Sequence, residues 1–224
     1  MEFTNLTAES GGYRDAREAL RLAELDLVRR RENVARMRRD LPPGPLVPDY
    51  EFVECASPDW ADRPIHLSGL FSGPGRPLIV YHLMFGKRQT TPCPMCTMWV
   101  DGFNGIARHV APNADFAVVA AADTGPLRQF AGGRGWSGIR VLSAGDSTFK
   151  FDLGSEDAEG NQDSRVSVFV QDADGGVRHT YTSSPHLSEE VEERGIDLLC
   201  ATWHLLDLTP QGRGDWYAAL DYPD

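Results

Sequence analysis

An apolar run followed closely by a pair of cysteines is the feature that most restricts the fold of this chain. The run is PLIVYHLMF, from Pro77 to Phe85, and the pair is CPMC, from Cys93 to Cys96. A short run rich in β-branched and aromatic residues indicates a strand that is buried on both faces. After the cysteines, apolar side chains recur at helical spacing as far as Ile106. The chain is therefore predicted to place a CxxC pair between a buried strand and the helix that follows it.

The other elements alternate in the way that is typical of an α/β protein. A charged amphipathic helix is predicted from Tyr13 until Pro42 ends it. The order of the elements matches a thioredoxin-like fold with three layers, a mixed central sheet and an N-terminal helical extension. We predict that residues 1–60 form this extension with a lead-in strand, and that residues 61–224 form the thioredoxin-like domain. The later predicted elements are strands at Asp49–Val53, Pro77–Phe85, Ala114–Ala121 and Ile139–Ser143, helices from Pro94, at Asp123–Gly133 and at Ser188–Leu208, and a β-hairpin at Arg165–Thr182.

The composition restricts the expected partners. The chain has 224 residues, which suits one domain with an extension, and a formal net charge of −11, which disfavours binding to a nucleic-acid backbone. No apolar run approaches the length of roughly 20 residues that spans a membrane, and the N-terminal residues show no signal-peptide pattern. Four cysteines are too few for a disulfide-stapled secreted scaffold. We expect a cytoplasmic protein that binds neither nucleic acid nor a membrane.

The position of the CxxC pair predicts reactive thiols. Cys93 lies at the cap of the predicted helix, and Pro94 is well suited to the first helical position. The unpaired N–H groups and partial positive charge of a helix N-terminus stabilise a thiolate, so the pKa of Cys93 is expected to be lowered. Cys96 lies one turn further on, where it can attack a mixed disulfide on Cys93. We predict that Cys93 is the nucleophile, that Cys96 is the resolving thiol, and that Trp99 shapes the docking surface.

Two other interpretations of the pair stay open. A zinc site would use Cys93, Cys96 and His109, but residues 113–115 contain no second histidine and no second CxxC is present. The pair could also be buried and inert, although the polar segment KRQTTP before it favours a surface loop. Cys55 and Cys200 show no pattern and are predicted to be small core residues. No metal and no other cofactor is expected.

Two further residues are candidates for a supporting role. His82 lies near the end of the apolar run and could carry protons at the cysteines, although a histidine on an apolar strand is more often a core residue with both nitrogens hydrogen-bonded. Asp101 could assist the resolving thiol or bond the chain at Gly102, and we favour the second role. The chain lacks a G-x-S-x-G motif and a phosphate-binding glycine loop after a strand, which argues against a serine hydrolase and a nucleotide-binding enzyme.

Several segments carry a resemblance to a known family. They include RRDLPPGPLVPDYEF, LIVYHLMFG, CPMCTMWVDGFNG, GWSG, VSVFV, HTYT and LLDLTPQGRGD, which together extend over nearly the whole chain. In these segments the chain resembles the family called domain of unknown function 899, described as predicted dithiol–disulfide oxidoreductases. The resemblance implies a thioredoxin-like fold and a redox pair at Cys93 and Cys96. Such proteins usually place a cis-proline opposite the cysteines, and Ile139 is predicted to stand at that position here.

These observations lead to two hypotheses of different classes. The first is a thiol–disulfide oxidoreductase or thiol-dependent peroxidase, whose partner is a protein or small-molecule thiol or disulfide. The second is a redox-inactive binding module of the same fold, favoured by an isoleucine in place of the expected proline at Ile139. The N-terminal helix is a candidate surface for formation of a homodimer.

Overall fold

The computed structural model describes residues 8–56, 61–190 and 194–223. The chain divides into two compact units, of which the first ends at Pro42 and the second begins at Pro43. The first unit contains helix α1 (Gly11–Arg39), whose N-terminus is capped by a hydrogen bond of 3.1 Å from the backbone N–H of Tyr13 to Ser10 Oγ. No residue of α1 is buried, so its apolar stripe stays exposed.

The second unit is built on a mixed seven-stranded sheet with the order β2-β1-β5-β4-β3-β6-β7. The central strands β3, β4 and β5 are parallel, whereas the remaining pairs are antiparallel. Parallel neighbours need crossover connections, which helices α2 and α3 supply. The strands are β1 (Glu51–Ala56), β2 (Ala61–His66), β3 (Leu78–His82), β4 (Asp115–Ala120), β5 (Arg140–Ser143), β6 (Arg165–Gln171) and β7 (Val177–Ser183). The helices are α2 (Pro94–Val110), α3 (Thr124–Arg134), α4 (Phe149–Asp152) and α5 (Ala201–Leu206).

The division between the two units differs from the prediction. Strand β1 pairs with both β2 and β5, so residues that were predicted to belong to the extension are part of the sheet. Along the chain, the boundary between the two units falls between Pro42 and Pro43 and not near residue 60. Strand β2, which forms an antiparallel pair with β1, was not predicted at all.

The helix predicted at Ser188–Leu208 is wrong in its extent. A short 3-10 helix at Asp197–Leu199 and helix α5 are found in this region, while Val191 lies outside the described residues. Gly195 donates a backbone hydrogen bond of 2.7 Å to the carbonyl of Pro185, and a Cβ at Gly195 would lie 2.2 Å from the Ser184 carbonyl oxygen. This close approach of two backbone segments requires glycine and leaves no room for a continuous helix.

The core lies on both faces of the sheet. Helices α2, α3 and α5 pack on one face, against side chains that include Tyr81 and Val118. Helix α4 and a 3-10 helix at Leu67–Leu70 cover the other face, where Val80 and Phe169 lie. Because side chains alternate along a strand, neighbouring residues of β3 point to opposite faces of the sheet. The carboxyl ends of the parallel strands share one edge of the sheet, and α2 begins at that edge.

Candidate functional site

Cys93 lies at the N-cap of α2, as predicted. Its backbone N–H donates to the carbonyl of Met84 at 3.0 Å, and its own carbonyl accepts from both the N–H and the Oγ1 of Thr97 at 3.0 Å. Pro94 occupies the first turn, where the missing N–H has no intrahelical partner to lose. The side chain of Cys93 is only partly buried. The fold therefore holds this thiol at a helix N-terminus and leaves it accessible.

Cys96 lies one turn further into α2 and is 2% exposed. Its thiol hydrogen-bonds to the sulfur of Cys93, and this bond, together with burial and the negative charge on Cys93, raises the pKa of Cys96 well above its usual value. The Tyr81 hydroxyl and the backbone N–H of Met84 act in the opposite direction and lower that pKa. The two sulfurs therefore differ in their surroundings: Cys96 is buried and holds its proton, whereas Cys93 is partly exposed at the start of α2.

A pocket of about 140 Å³ opens onto the two sulfurs. Its walls are mostly apolar, and Trp99 contributes to them as predicted. The indole of Trp99 is itself held by ring contacts at 5.9 Å from Tyr81 and 5.8 Å from Trp203. The lining residues are Tyr81, Met84, Cys93, Met95, Cys96, Trp99, Ser164, Pro185, His186 and Tyr217.

Most of these lining residues were not predicted from the sequence, among them Tyr81, Ser164 and His186. Tyr81 is fully buried, and burial together with the neighbouring Cys96 raises the pKa of its phenol. Ser164 directly precedes β6, and its backbone position is fixed because Arg165 pairs with the last residue of β3. His186 lies on the chain after β7, with Nε2 at 3.8 Å from the Asp163 carboxylate. The alternation of side chains along β3 could have placed Tyr81 on the α2 face, whereas the other two depend on long-range topology.

His82 does not face the cysteines. It lies on the opposite face of the sheet from Tyr81 and stacks on Phe149 with ring centroids 5.1 Å apart. Its Nδ1 is 2.7 Å from Ser155 Oγ and its Nε2 is 2.9 Å from Ser167 Oγ. Burial lowers the pKa of this imidazole well below its usual value, so the ring is neutral. His82 is therefore a core residue with both ring nitrogens hydrogen-bonded, which is the usual role of a histidine on an apolar strand.

Asp101 has neither of the two roles considered for it. Its Oδ1 accepts from the indole Nε1 of Trp136 at 2.8 Å, and its carboxylate pairs with the guanidinium of Arg134. Gly102 lies inside α2 and forms no turn. The carboxylate therefore joins α2 to the end of α3, and the prediction that it serves Cys96 or a turn is wrong.

Ile139 lies at the far end of the sheet from the cysteines. It precedes Arg140, which pairs with Ala117 near the start of β4, whereas α2 begins at the opposite edge. With Ala107 and Ala111, at the other end of α2, Ile139 lines a separate pocket of about 300 Å³. The prediction that Ile139 stands opposite the cysteines is therefore wrong. Ser164 is the residue that takes this place, because it lies beside the end of β3 and in the same pocket as Cys93.

The remaining predicted ligands and cysteines lie apart from the pocket. Because an α-helix rises 1.5 Å per residue, His109 is about 20 Å along α2 from Cys96, too far to share a metal ion with it. In the described ranges, no three His, Cys, Asp or Glu side chains are grouped so that they could hold a metal ion. Cys55 and Cys200 are buried core residues, as predicted. Among the helices in those same ranges, none is both long enough and apolar enough to cross a membrane.

Two solved structures share this fold. Peroxidoxin BcpB from Mycobacterium tuberculosis superposes with a TM-score of 0.50 at 20% identity, over 74% of this chain and 98% of that chain. A cysteine-to-serine mutant of PrxQ from Xylella fastidiosa superposes with a TM-score of 0.50 at 12% identity, over 71% of this chain and 93% of that chain. At such identities the likeness concerns the fold alone. It confirms the predicted thioredoxin-like α/β architecture.

The sequence was also compared with curated proteins and with models of protein families. A comparison with curated proteins finds no significant match. The model of a bacterial protein family of unknown function, DUF899, matches residues 3–222, and its extent includes every element of both units. The match also agrees with the segments that carried the resemblance in the sequence. The chain therefore belongs to the DUF899 family of bacterial proteins of unknown function.

Proposed function

We propose that this protein is a thiol–disulfide oxidoreductase that uses Cys93 as its nucleophile and Cys96 as its resolving thiol. The observation that carries the proposal is the unequal environment of the two sulfurs. Cys93 reaches a pocket at a helix N-terminus, whereas Cys96 is buried, keeps its proton and hydrogen-bonds to Cys93. An accessible thiolate beside a protonated second thiol is the arrangement that disulfide exchange needs.

The reaction would proceed in two steps. The Cys93 thiolate attacks a disulfide sulfur of the substrate, forms a mixed disulfide and releases the first substrate thiol. Cys96 then attacks Cys93, which forms the intramolecular disulfide and releases the second thiol. With a peroxide, Cys93 would instead form a sulfenic acid and release water or an alcohol. The Cys96 thiol would then attack this sulfur, forming the disulfide and releasing the sulfenic oxygen as water. Both routes leave the same Cys93–Cys96 disulfide, so the pair supports either substrate class.

The partner in this proposal is a protein or small-molecule disulfide, or a peroxide, that brings one sulfur or oxygen into the pocket. We place the reaction in the cytoplasm, because four cysteines in 224 residues do not resemble an oxidised, stapled scaffold. Self-association through the exposed apolar stripe of α1 is a separate hypothesis. Sedimentation of the full chain at several concentrations tests it.

The experiment uses a background in which Cys55 and Cys200 are replaced by alanine. We expect Cys93 to react with an alkylating reagent at neutral pH much faster than a free thiol, and to form a disulfide with Cys96 under mild oxidation. Cys93→Ser should abolish reduction of both insulin disulfide and a peroxide, and Cys96→Ser should accumulate the mixed disulfide. The Cys55→Ala, Cys200→Ala background itself is the matched control, because it lacks only two buried thiols outside the pocket.

The alternative of a redox-inactive binding module has one specific observation in its favour. Ser164 stands directly before β6, beside the end of β3, where such redox proteins usually place a proline. A thiol pKa for Cys93 near that of a free thiol, with no disulfide after mild oxidation, would exclude the oxidoreductase and support the binding module. Activity on peroxide without activity on insulin would instead restrict the proposal to a peroxidase.

A further inference from the structure

A buried lysine lies on the face of the sheet opposite the cysteine pair. Lys150, in the short helix α4, is 1% exposed, and its Nζ donates to the backbone carbonyl of Leu83 at 3.0 Å. An ammonium has three donors and a full charge, so its transfer from water into a protein interior is unfavourable unless nearby groups stabilise the charge. Such a group calls for an explanation, and the two-step reaction described above does not use it.

One peptide unit joins this ammonium to the resolving thiol. The carbonyl of the Leu83–Met84 peptide accepts from Lys150, while the N–H of the same peptide, on Met84, acts on Cys96 and lowers the pKa of its thiol. The carbonyl of Met84 in turn accepts from the N–H of Cys93. A cation at the carbonyl end of a peptide polarises it and strengthens the donor at the other end. The chain that follows β3 therefore transmits the charge of Lys150 to Cys96.

The charges around Lys150 are consistent with this direction of influence. Burial lowers the pKa of Lys150 to about 8, and the negative charge of Cys96 raises it. The charge of Lys150 also contributes to the lowered pKa of His82. The titratable or charged groups that act on the ammonium or share its surroundings are Cys96 on α2, His82 on β3, Glu156 and Asp163 before β6, and Arg165 on β6.

We propose that Lys150 is a positioning residue whose ammonium, acting through the Leu83–Met84 peptide, stabilises the thiolate form of Cys96 during resolution. The inference rests on the proposed oxidoreductase function. In this step Cys96 loses its proton, its sulfur forms a bond to Cys93, and the bond between Cys93 and the substrate sulfur breaks. The substrate leaves as a thiolate, which takes up one proton. Two cysteine thiols are thereby oxidised to one disulfide, and the substrate disulfide is reduced to two thiols, so no further reactant is needed.

The aromatic disulfide DTNB separates the two steps, because each releases one coloured thiolate. In the Cys55→Ala, Cys200→Ala background, the first release reports attack by Cys93 and the second reports resolution by Cys96. We expect Lys150→Met to slow the second release about tenfold near pH 7, the effect of raising a thiol pKa by about one, and to leave the first within about twofold. The chain has only one other lysine, Lys87, which is exposed and pairs with Asp146. Lys87→Met is the matched control and should change neither release.

The pH profile distinguishes an electrostatic role from a structural one. If Lys150 acts by stabilising a thiolate, the second release in Lys150→Met should approach the parent rate as the pH rises and Cys96 ionises without help. A uniform slowing at every pH, or a second release at the parent rate near pH 7, overturns the inference and leaves the proposed function intact. If the parent protein itself releases one thiolate and never the second, the proposed function and the inference both fail.

A measurement on the parent protein keeps the test independent of how the variant folds. Lysine labelled with ¹³C at Cε gives two side-chain resonances, and Lys87→Met assigns them. We expect the Lys150 resonance of the reduced form to shift a second time at alkaline pH, where Cys96 ionises, and the resonance of the disulfide form to lack this step, because the disulfide has no thiol to titrate. Identical titration curves in the two redox forms would overturn the inference.

Discussion

Replacement of Lys150 by methionine is expected to change how stability depends on pH. Burial lowers the pKa of Lys150 from 10.5 to about 8 in the folded protein, whereas in the unfolded chain it returns to the usual value. Between these two pH values the unfolded chain binds more protons than the folded one. The free energy of unfolding of the parent protein therefore rises with pH across this range, relative to a variant that has no amine.

The magnitude follows from the difference between the two pKa values. A difference of about 2.5 corresponds to about 3 kcal/mol, since one pKa unit is about 1.4 kcal/mol. Below pH about 8 both states hold the proton, and the folded protein bears the full unfavourable energy of the buried ammonium. Methionine has similar volume and no charge, so it removes the unfavourable buried ammonium, but it also leaves the Leu83 carbonyl without its hydrogen-bond donor. At neutral pH these two effects act in opposite directions on the difference in free energy of unfolding between the two proteins.

The assay is urea unfolding of the reduced parent protein and of Lys150→Met, followed by circular dichroism at a series of pH values. The other cysteines and the tyrosines with raised pKa values are present in both proteins and largely cancel in the difference, and Cys96, on which Lys150 acts, is replaced by serine in both. We expect this difference to move by about 3 kcal/mol in favour of the parent between pH about 7 and pH about 10.5. A difference that stays constant to within about 0.5 kcal/mol, or that moves the other way, would refute a buried ammonium at Lys150.

Three further predictions concern positions that the structure separates from one another. Leu127→Ala, at a fully buried site on α3, should lower the free energy of unfolding by about 2–5 kcal/mol in urea titrations, and a loss under about 1 kcal/mol would contradict its place in the core. Asp101→Asn should cost about 1–3 kcal/mol and shift the indole N–H resonance of Trp136, while a slower second release from DTNB would instead support a role at Cys96. Ser164→Leu, which narrows the pocket, should slow the first release about tenfold, the equivalent of about 1.4 kcal/mol, whereas Ile139→Ala should leave it unchanged. Equal effects at these two positions would contradict the geometry of the sheet.

The unit that carries the cysteines could be predicted because its signals are local. A short apolar run predicts a buried strand, and a proline after Cys93 followed by helical periodicity predicts where α2 begins. Strands β4 to β7 and helix α3 were found for the same reason. The predicted helix at Ser188–Leu208 failed where periodicity was misleading, because Leu198 and Leu199 are about half exposed and face no core.

The surroundings of the cysteines could not be predicted in the same way, because they come from distant parts of the chain. Ile139 was placed beside the cysteines by its position after a Gly-Trp motif, but β5, which follows it directly, runs parallel to β4, so Ile139 lies at the far edge of the sheet. Ser164 reaches the pocket only because β6 pairs antiparallel with β3. Lys150 lies in a polar segment with no periodic pattern, and only the packing of α4 against the end of β3 buries it.

The two thiols are therefore controlled by different parts of the fold. Cys93 is partly exposed and lies at a helix N-terminus, which carries about half an elementary charge and stabilises an anion by roughly 0.3–1 kcal/mol at exposed sites. Cys96 is shielded from solvent, and the Lys150 ammonium, which interacts electrostatically with it, is buried as well. Because screening is weak in the interior, a full charge there acts at longer range than a partly exposed helix end. In the proposed reaction, the N-terminus of α2 would govern the attack on substrate, and α4 with the end of β3 would govern resolution, so substitutions in the two regions should affect different steps.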